Sequence, residues 1–212
     1  MSPVVAPATR TSVSQESITL PKPYTKSEIS LEYCLLQRRS VRSYSNGELS
    51  RADISQLLWA AQGITAEGHL RTAPSAGALY PLEVYLVAGN VNGLEPGAYH
   101  YRPERHELVL VKLGDFRHEL ARAALGQDCV ATGAVILLFG AVYTRTSGKY
   151  GQRATRYVHM EAGHAAQNVC LQATALGLGT VTVGAFDDHE VKRIVALPES
   201  HEPVYLIPVG RK

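Results

Sequence analysis

The sequence contains few cysteines and no paired cysteine motif. Cys34, Cys129 and Cys170 are widely spaced, and no CxxC pair occurs in the 212 residues. An odd number of cysteines at long spacings argues against both a zinc site and a disulfide framework. We therefore expect all three cysteines to be small buried hydrophobic side chains in a reducing compartment.

Net charge and long apolar runs are also scarce. The formal net charge is +2 without any long basic run, which argues against nucleic acid or an anionic membrane as a partner. No stretch is long and charge-free enough to cross a bilayer. Residues 1–20 lack the basic start and apolar block of a signal peptide. These features predict a soluble cytoplasmic protein with a flexible N-terminal arm over residues 1–20.

The motifs of several common enzyme classes are missing. No HExxH, GxSxG or P-loop occurs, and His159 and His164 are five residues apart, the wrong spacing for two metal ligands on one helix face. No metal site is therefore predicted. Gly177-Leu178-Gly179 resembles the start of a dinucleotide fingerprint, but it follows a helical pattern instead of opening one. A helix C-cap explains it better.

The rest of the sequence has a globular balance, with 45% hydrophobic and 19% charged residues in a chain of single-domain size. One folded domain is predicted over residues 21–212. Predicted helices cover residues 27–37, 50–63, 115–124, 153–176 and 187–198. Predicted strands cover residues 83–88, 99–101, 108–111, 134–142, 181–184 and 204–209. This interleaving indicates an α/β or α+β class without specifying the topology.

A basic cluster, Arg38-Arg39-Ser40-Val41-Arg42, follows the first predicted helix. Guanidinium groups can bind phosphate oxygens in pairs, and a serine hydroxyl adds a short donor. The cluster is therefore a candidate phosphate site. A basic helix C-terminus that complements the helix dipole is the alternative interpretation.

Two segments of small residues are candidate ligand contacts. Residues 74–81 (PSAGALYP) form a loop in which the backbone can approach a ligand closely. Residues 182–186 (TVGAF) end a predicted strand just before a helix capped by Asp187, so free backbone N–H groups could meet a flat ring with acceptor atoms. Taken alone, residues 74–81 are better explained by an ordinary connection into a strand, whereas a tight strand-to-helix turn explains residues 182–186 equally well.

Lys149 and Tyr150 lie side by side between Gly148 and Gly151. A neighbouring ammonium group favours a phenolate, which would make Tyr150 a plausible base. The flanking glycines predict a loop, where both side chains could point at one ligand. A solvent-exposed loop without function is the alternative.

The longest predicted helix, residues 153–176, carries many small side chains that would permit close packing against another helix, either in the core or in a second subunit. Taken together, the segments resemble the nitroreductase superfamily of flavoenzymes, in the order RRSVR, PSAGALYP, EAGHAAQN, ALGLGTVTVGAF and PVGRK. More closely, the chain resembles the SagB-type azoline dehydrogenases, which aromatise thiazoline and oxazoline rings in modified peptides. RTAPSAGALYPLEVYLV and KYGQRATRYVHMEAGHAAQN carry this closer match, and the resemblance covers residues 21–212.

The resemblance implies an α+β fold with a mixed, mainly antiparallel sheet flanked by helices. It also implies an intertwined homodimer with two FMN molecules at the subunit interface. Several residues match the family's flavin contacts. These are Arg38, Arg39, Ser40 and Arg42 for phosphate and ring edge, Ser75, Ala76 and Gly77 beside the flavin, Gly184 and Ala185 as backbone donors, and Arg211 and Lys212 as C-terminal phosphate contacts.

Lys149 and Tyr150 match the Lys-Tyr pair of the azoline dehydrogenases, so the resemblance implies that they are the catalytic residues. Generic nitroreductases often carry Asn where this chain has Ala78, which points away from the generic branch. The expected function is FMN-dependent dehydrogenation of an azoline in a small-molecule or modified-peptide substrate, with a cyclodehydratase partner. The alternatives are an NAD(P)H-dependent reductase of nitro compounds or quinones, a non-catalytic flavin-binding subunit of a larger complex, and a structural subunit without flavin.

Overall fold

The computed structural model describes residues 17–212, and a seven-stranded sheet forms the centre of the fold. The strands of this sheet are β1 (Ser17–Thr19), β4 (Leu82–Ala88), β5 (Gly97–Arg102), β6 (Glu107–Leu113), β7 (Val135–Ala141), β8 (Leu178–Thr180) and β9 (Glu202–Arg211). Their order is β1-β6-β5-β4-β7-β9-β8, and each neighbouring pair is antiparallel. A separate hairpin pairs β2 (Ile64–Ala66) with β3 (Leu70–Arg71).

Helices cover both faces of the sheet. The helices are α1 (Leu31–Gln37), α2 (Arg51–Gln62), α3 (Arg117–Ala123), α4 (Asp128–Thr132), α5 (Tyr143–Tyr150), α6 (Ala154–Ala175) and α7 (Asp188–Val195). Side chains of α2 and α6 form one hydrophobic cluster with the sheet, and side chains of α3, α4 and α7 form another on the opposite face. The predicted α+β class, with a mainly antiparallel sheet flanked by helices, is confirmed.

Strand β7 explains how the two clusters share one sheet. Leu137 and Phe139 point into the cluster with α2 and α6, whereas Ile136 and Leu138 point into the cluster with α3, α4 and α7. All four are fully buried, because successive strand residues face opposite sides and both sides are covered. The uninterrupted apolar run in the sequence therefore correctly predicts a strand buried on both faces.

Several local predictions are also confirmed. Ser50 and Asp53 form a reciprocal capping box at the start of α2, and Gly63 is its C-cap residue. Strands β5 and β6 form the predicted antiparallel hairpin. Gly177 follows α6 with a φ of 70°, as expected of a residue that ends a helix.

Two predicted elements are wrong in position. Helix α1 starts at Leu31 instead of residue 27, because the Ser27 hydroxyl accepts a local bond from the Ile29 N–H while Ser30 caps the helix. The strand predicted at residues 181–184 lies earlier, at β8. Gly179 lets the chain approach closely there, since a Cβ at this position would come within 2.7 Å of Val41 Cγ1.

The folded part extends beyond the predicted N-terminal boundary, because residues 17–19 of the predicted arm pair with β6. Residues 1–16 lie outside the described residues, so the arm itself stays a prediction. The three cysteines are buried and unpaired, as predicted. Over residues 17–212 no helix has the length and hydrophobicity needed to cross a membrane, and no group of three His, Cys, Asp or Glu side chains could hold a metal ion.

Candidate functional site

The Lys149–Tyr150 pair lies in the last turn of helix α5, so the prediction that it occupies a loop is wrong. Residues 143–150 stay helical because Gly148 is tolerated within the helix, and the chain leaves it only at Gly151, which has a φ of 53°. Lys149 is exposed and Tyr150 is half-buried. Although adjacent side chains of a helix diverge, the Lys149 Nζ atom still lies 5.5 Å from the centre of the Tyr150 ring.

The 74–81 loop packs against this pair. A Cβ atom added to Gly77 would lie 2.9 Å from Lys149 Nζ and 2.9 Å from the Tyr150 phenolic oxygen. Gly77 also has a φ of 65°, which side chains rarely adopt. Both functional groups therefore approach the same point on the loop backbone, as the sequence pattern suggested that they could.

The loop is held in an unusual backbone conformation. Ala78 and Tyr80 have φ values of 53° and 45°, which cost free energy for residues with a side chain. The Ser75 hydroxyl oxygen accepts a hydrogen bond from the Tyr80 N–H at 2.9 Å and so closes the loop. Ser75 and Ala76 are half-buried, and Gly77 is exposed.

Arg145 links helix α5 to the 74–81 loop through a hydrogen bond and to strand β4 through an ion pair. Its Nη1 donates to the Tyr80 carbonyl at 2.9 Å, and its Nη2 forms an ion pair with Glu83 at the start of β4. The second Glu83 oxygen lies 2.6 Å from His100 Nε2. Burial raises the pKa of Glu83, but the His100 hydrogen bond and the Arg145 charge outweigh it and hold the pKa at about 2. Glu83 is therefore a permanent anion under α5.

The basic cluster forms a second group, at the corner of β8 and β9. The Val41 N–H donates to the Thr180 carbonyl at 2.9 Å, and Ser40 forms an isolated parallel bridge with Thr180. Close packing fixes this segment, since a Cβ on Gly210 would lie 2.8 Å from Tyr44. The segment also reaches the C-terminal strand, where the Ser45 N–H donates to the Arg211 carbonyl at 2.9 Å.

The three arginines of the basic cluster fall into two kinds. The guanidinium groups of Arg38 and Arg42 make no hydrogen bond or ion pair with other residues of the described chain, so their donors are open to an anion. Arg39 instead donates to the carbonyls of Leu36 and Arg38 and so stabilises the end of α1. For Arg39, the structure therefore agrees with the alternative interpretation, in which a basic residue at the helix C-terminus complements the helix dipole.

Arg211 is bound to the protein itself. Its Nη2 donates to Asp53 at 3.0 Å and its Nε to the Glu48 carbonyl at 3.2 Å. Lys212 is exposed, and its carbonyl accepts from the Ser45 hydroxyl at 3.4 Å. Arg211 would have to share its donors between Asp53 and a phosphate, whereas no residue between 17 and 212 pairs with the Lys212 ammonium group.

Gly184 and Ala185 lie in an exposed turn before α7. Their backbone N–H groups donate to no acceptor in residues 17–212, and the Ala185 carbonyl accepts from Gln127. Asp187 caps α7 through the Glu190 N–H, as predicted. The two open N–H groups can therefore donate to the edge of a flat ring.

The basic cluster and the 74–81 loop lie beside different parts of helix α6. Arg38 acts on Cys170, where burial raises the thiol pKa and the arginine charge opposes that effect. The loop residue Ser75 acts instead on Glu161, nine residues earlier on α6. A helix rises about 1.5 Å per residue, so Cys170 and Glu161 themselves are about 14 Å apart along α6. The arrangement suits a ligand with a phosphate at one end and a ring at the other.

The sequence patterns did not single out three residues around this site, Arg145, Glu83 and Glu161. Arg145 and Glu83 meet across 62 residues, a distance over which single-sequence patterns give no signal. Glu161 did leave a signal, because it is an acid in the middle of the small-residue face of α6, where a charge is unexpected unless it is functional.

Comparisons with known proteins agree with this fold. The nitroreductase family model matches residues 35–211. MJ1384 of Methanocaldococcus jannaschii, a provisionally named nitroreductase, is 51% identical over 185 residues, covering 87% of this chain and 92% of that protein. A crystal structure of a provisionally named nitroreductase from Ralstonia eutropha has a TM-score of 0.82 at 30% identity and covers 99% of this chain and 95% of that one.

A third relative belongs to a peptide-processing system. The microcin B17-processing protein McbC of Escherichia coli is 30% identical over 159 residues, covering 72% of this chain and 58% of McbC. A chain in the structure of the E. coli microcin synthetase McbBCD complex with truncated pro-MccB17 bound has a TM-score of 0.72 at 26% identity, covering 94% of this chain and 79% of that one. By its sequence and its fold, this chain belongs to the nitroreductase family of oxidoreductases.

Proposed function

We propose that this protein is an FMN-dependent dehydrogenase that oxidises azoline rings in a peptide-derived substrate. The observation that carries the proposal is the meeting of Lys149 Nζ and the Tyr150 hydroxyl at Gly77. This places a cation and a phenol together against the backbone of the 74–81 loop. The similarity to McbC supports a peptide-derived heterocycle as the substrate.

The residues present fit FMN. Arg38, Ser40, Arg42 and Lys212 would hold the phosphate, because their side chains have no competing partner in the described chain. Ser75, Ala76 and Gly77 would lie beside the ring, and the open N–H groups of Gly184 and Ala185 would donate to its edge. When bound, FMN supplies the hydride acceptor for the oxidation.

Residues of the protein itself remove the proton from the substrate. As a phenolate, Tyr150 would accept a ring proton from the substrate and become a neutral phenol, and the Lys149 ammonium group would stabilise the phenolate before this transfer. Arg145 keeps both in place by tying α5 to the Tyr80 carbonyl. The half-buried position of Tyr150 limits the access of competing water.

The proposal includes a homodimer. Large apolar side chains are exposed on α1 and in the segment before it, and α1 packs against α6. They are Tyr24, Ile29, Leu31, Tyr33, Leu35 and Leu36. Such a patch on a monomer indicates a covered surface, and a second copy would bring a further loop or basic cluster toward each ligand. A cyclodehydratase partner and a cytoplasmic location are part of the proposal as well.

The first experiment is a visible absorption spectrum of the purified protein, followed by chromatography of the released chromophore. Release of about one FMN per chain supports the proposal. A colourless protein that does not bind added FMN overturns it. Rapid bleaching of the bound flavin by NADH or NADPH would instead favour the nitro or quinone reductase, which the name of MJ1384 also suggests.

The second experiment tests the reaction. Tyr150→Phe should retain FMN but lose turnover of a thiazoline peptide by at least about a hundredfold, the usual size of a general-base contribution. Tyr143→Phe is the matched control, since it removes a hydroxyl from the same helix that, within residues 17–212, bonds only to His159. Full turnover by Tyr150→Phe would exclude Tyr150 as the base. Bound FMN without turnover of any substrate in the unaltered protein would point to a non-catalytic flavin-binding subunit.

A further inference from the structure

A polar pocket lies beside the 74–81 loop, and none of the residues assigned to FMN or to proton transfer lines it. Its volume of about 500 Å³ falls within the range of small-molecule sites. Leu82, Val84 and Tyr101, which are buried residues of strands β4 and β5, contribute apolar surface to its lining. Its arginine, glutamate and histidine lining residues are Arg71, Glu83, His100, Arg102, Glu104 and Arg145.

The charges in this pocket do not balance, because three arginines line it against two glutamates. Glu83 is paired with Arg145, and Glu104 is paired with Arg71 at 3.2 Å. Arg102 is exposed, and its guanidinium group makes no hydrogen bond or ion pair with another residue in the described part of the chain. The lining therefore carries one uncompensated positive charge, and the donors of Arg102 are open to a ligand.

Arg71 is a second cation of the pocket, and three contacts fix its position. Its Nη1 donates to Gln62 Oε1 at 3.0 Å, its Nη2 pairs with Glu104, and its guanidinium group lies 4.6 Å from the centre of the Tyr80 ring. Half of the Glu104 side chain is exposed, so its pairing with Arg71 contributes little. Glu104 therefore competes only weakly with a ligand anion for Arg71.

The pocket adjoins the reactive pair along both helix α5 and the loop. Arg145 lines the pocket and precedes Lys149 by four residues on α5, a rise of about 6 Å on the same helix face. Tyr80 lines the pocket from the loop, three residues after Gly77, which Lys149 and Tyr150 approach. A molecule whose ring lies at Tyr150 can therefore extend into the pocket.

We propose that this pocket binds a carboxylate group of the substrate and that Arg102 is the residue that holds it. The inference deepens the proposed function and rests on it for the ring that the substrate carries. A guanidinium group binds a carboxylate through two parallel hydrogen bonds, and a single excess positive charge suits a group with one negative charge. The apolar lining accommodates the carbon chain that bears this group. The C-terminus of a peptide and an acidic side chain both present this chemistry.

The first test measures binding to the flavin-free protein by isothermal titration calorimetry with three small probes. N-acetyl-leucine carries a C-terminal carboxylate, N-acetyl-leucine amide carries none, and N-acetyl-glutamate α-amide carries only a side-chain carboxylate. At least one acid should bind at least about tenfold more tightly than the neutral amide, the usual effect of one charged hydrogen bond. The tighter acid identifies the source of the carboxylate. Equal binding of all three probes, or no binding of either acid, overturns the proposal.

Three variants assign the effect to the pocket. Arg102→Gln should weaken binding of the acid about tenfold and leave binding of the amide unchanged. Arg105→Gln is the matched control, since Arg105 is an exposed arginine in the turn after Arg102 and does not line the pocket. Equal effects of these two variants would mean that a diffuse positive field attracts the acid, which overturns the proposal.

Glu104→Gln should have the opposite effect and strengthen binding of the acid about two- to fivefold, because it frees Arg71 from its ion pair. Such a gain cannot arise from a loss of folding. Weaker binding by Glu104→Gln would contradict the competition between Glu104 and a ligand carboxylate and overturn the proposal.

A second measurement uses the FMN-loaded protein and thiazoline peptides that differ only in a carboxylate or an amide at the position that the first test identifies. The amide should raise KM about tenfold with kcat within about twofold, since the carboxylate contributes binding away from the reacting ring. An unchanged KM overturns the role of the pocket in substrate binding. If no thiazoline peptide is turned over, the proposed function fails, and the dependence of acid binding on Arg102 alone decides whether the pocket binds a carboxylate.

Discussion

Gly77 packs directly against Tyr150, so that a methyl group on Gly77 would come within 2.9 Å of the Tyr150 phenolic oxygen. The two residues are 73 positions apart in the sequence and belong to a loop and a helix that otherwise meet through Arg145. This contact sets the distance between the loop backbone and the reactive hydroxyl. The close approach of the loop backbone to the Tyr150 hydroxyl therefore depends on the absence of a side chain at Gly77.

Gly77→Ala should damage activity more than stability. The substitution introduces two costs, the strain of a side chain at a φ of 65° and the clash with Lys149 and Tyr150. Gly126→Ala isolates the first cost, because Gly126 has a φ of 75° with nothing within 4 Å of its added Cβ. Both variants should lose about 1–2 kcal/mol in free energy of unfolding. Gly77→Ala alone should also lower turnover, by at least about tenfold.

Urea unfolding and steady-state turnover, measured side by side, check this prediction. The informative quantity is the difference in turnover between Gly77→Ala and Gly126→Ala, since both variants carry the same backbone strain. Equal activity of the two variants would show that Lys149 and Tyr150 can move away from the loop without cost.

The sequence predicts the scaffold well because its signals are local. The capping box at Ser50 and Asp53, the helix end at Gly177 and the apolar run of β7 each depend on neighbours within a few residues. The loop predicted around Lys149 and Tyr150 is wrong, because both residues lie in helix α5. Two nearby glycines suggested a loop, but tertiary contacts of α5 with α6 keep the segment helical.

The contacts that shape the candidate site were not predictable in the same way. Arg38, Arg39 and Arg42 are equivalent as a sequence pattern, and only the path of the chain after α1 decides that Arg39 turns back onto Leu36. The pairing of Arg211 with Asp53 joins residues 158 positions apart. Such pairings follow from topology, which periodicity and composition do not specify.

The arginine cluster should show a division of roles. Arg38→Gln and Arg42→Gln should each raise the Kd for FMN about tenfold, because each removes a charge with no partner in the described chain. Arg39→Gln should leave the Kd within about twofold and lower stability slightly, since it removes a helix-capping donor. Titration of the flavin-free variants, followed by flavin fluorescence, measures all three constants.

The three variants remove the same side-chain charge within five residues, so each controls for the loss of net charge in the others. A common increase in Kd for all three would mean that a diffuse field binds the phosphate. That result would contradict the distinction between Arg38 and Arg42, whose guanidinium groups have no partner in the described chain, and Arg39, whose guanidinium group caps helix α1. No change in any of them would place the phosphate elsewhere.

Glu83 should make stability depend on pH in the acid range. Its pKa in the folded protein is about 2, below the ordinary value of 4.5, because the His100 hydrogen bond and the Arg145 charge overcome the effect of burial. A lowered pKa means that the carboxylate stabilises the fold above pH 4.5. This contribution is lost as the pH falls from about 4.5 toward 2 and is on the order of 3 kcal/mol when complete.

Glu83→Gln should therefore lower the free energy of unfolding by about 2–3 kcal/mol at neutral pH, and the gap to the unaltered protein should narrow below about pH 4.5. Urea unfolding at a series of pH values measures the gap. Glu199→Gln is the matched control, because its carboxylate is fully exposed and its pairing with Lys192 should contribute little. A gap for Glu83→Gln that stays constant down to the acid limit would mean that shape, and not the Glu83 charge, holds Arg145 and helix α5 in place.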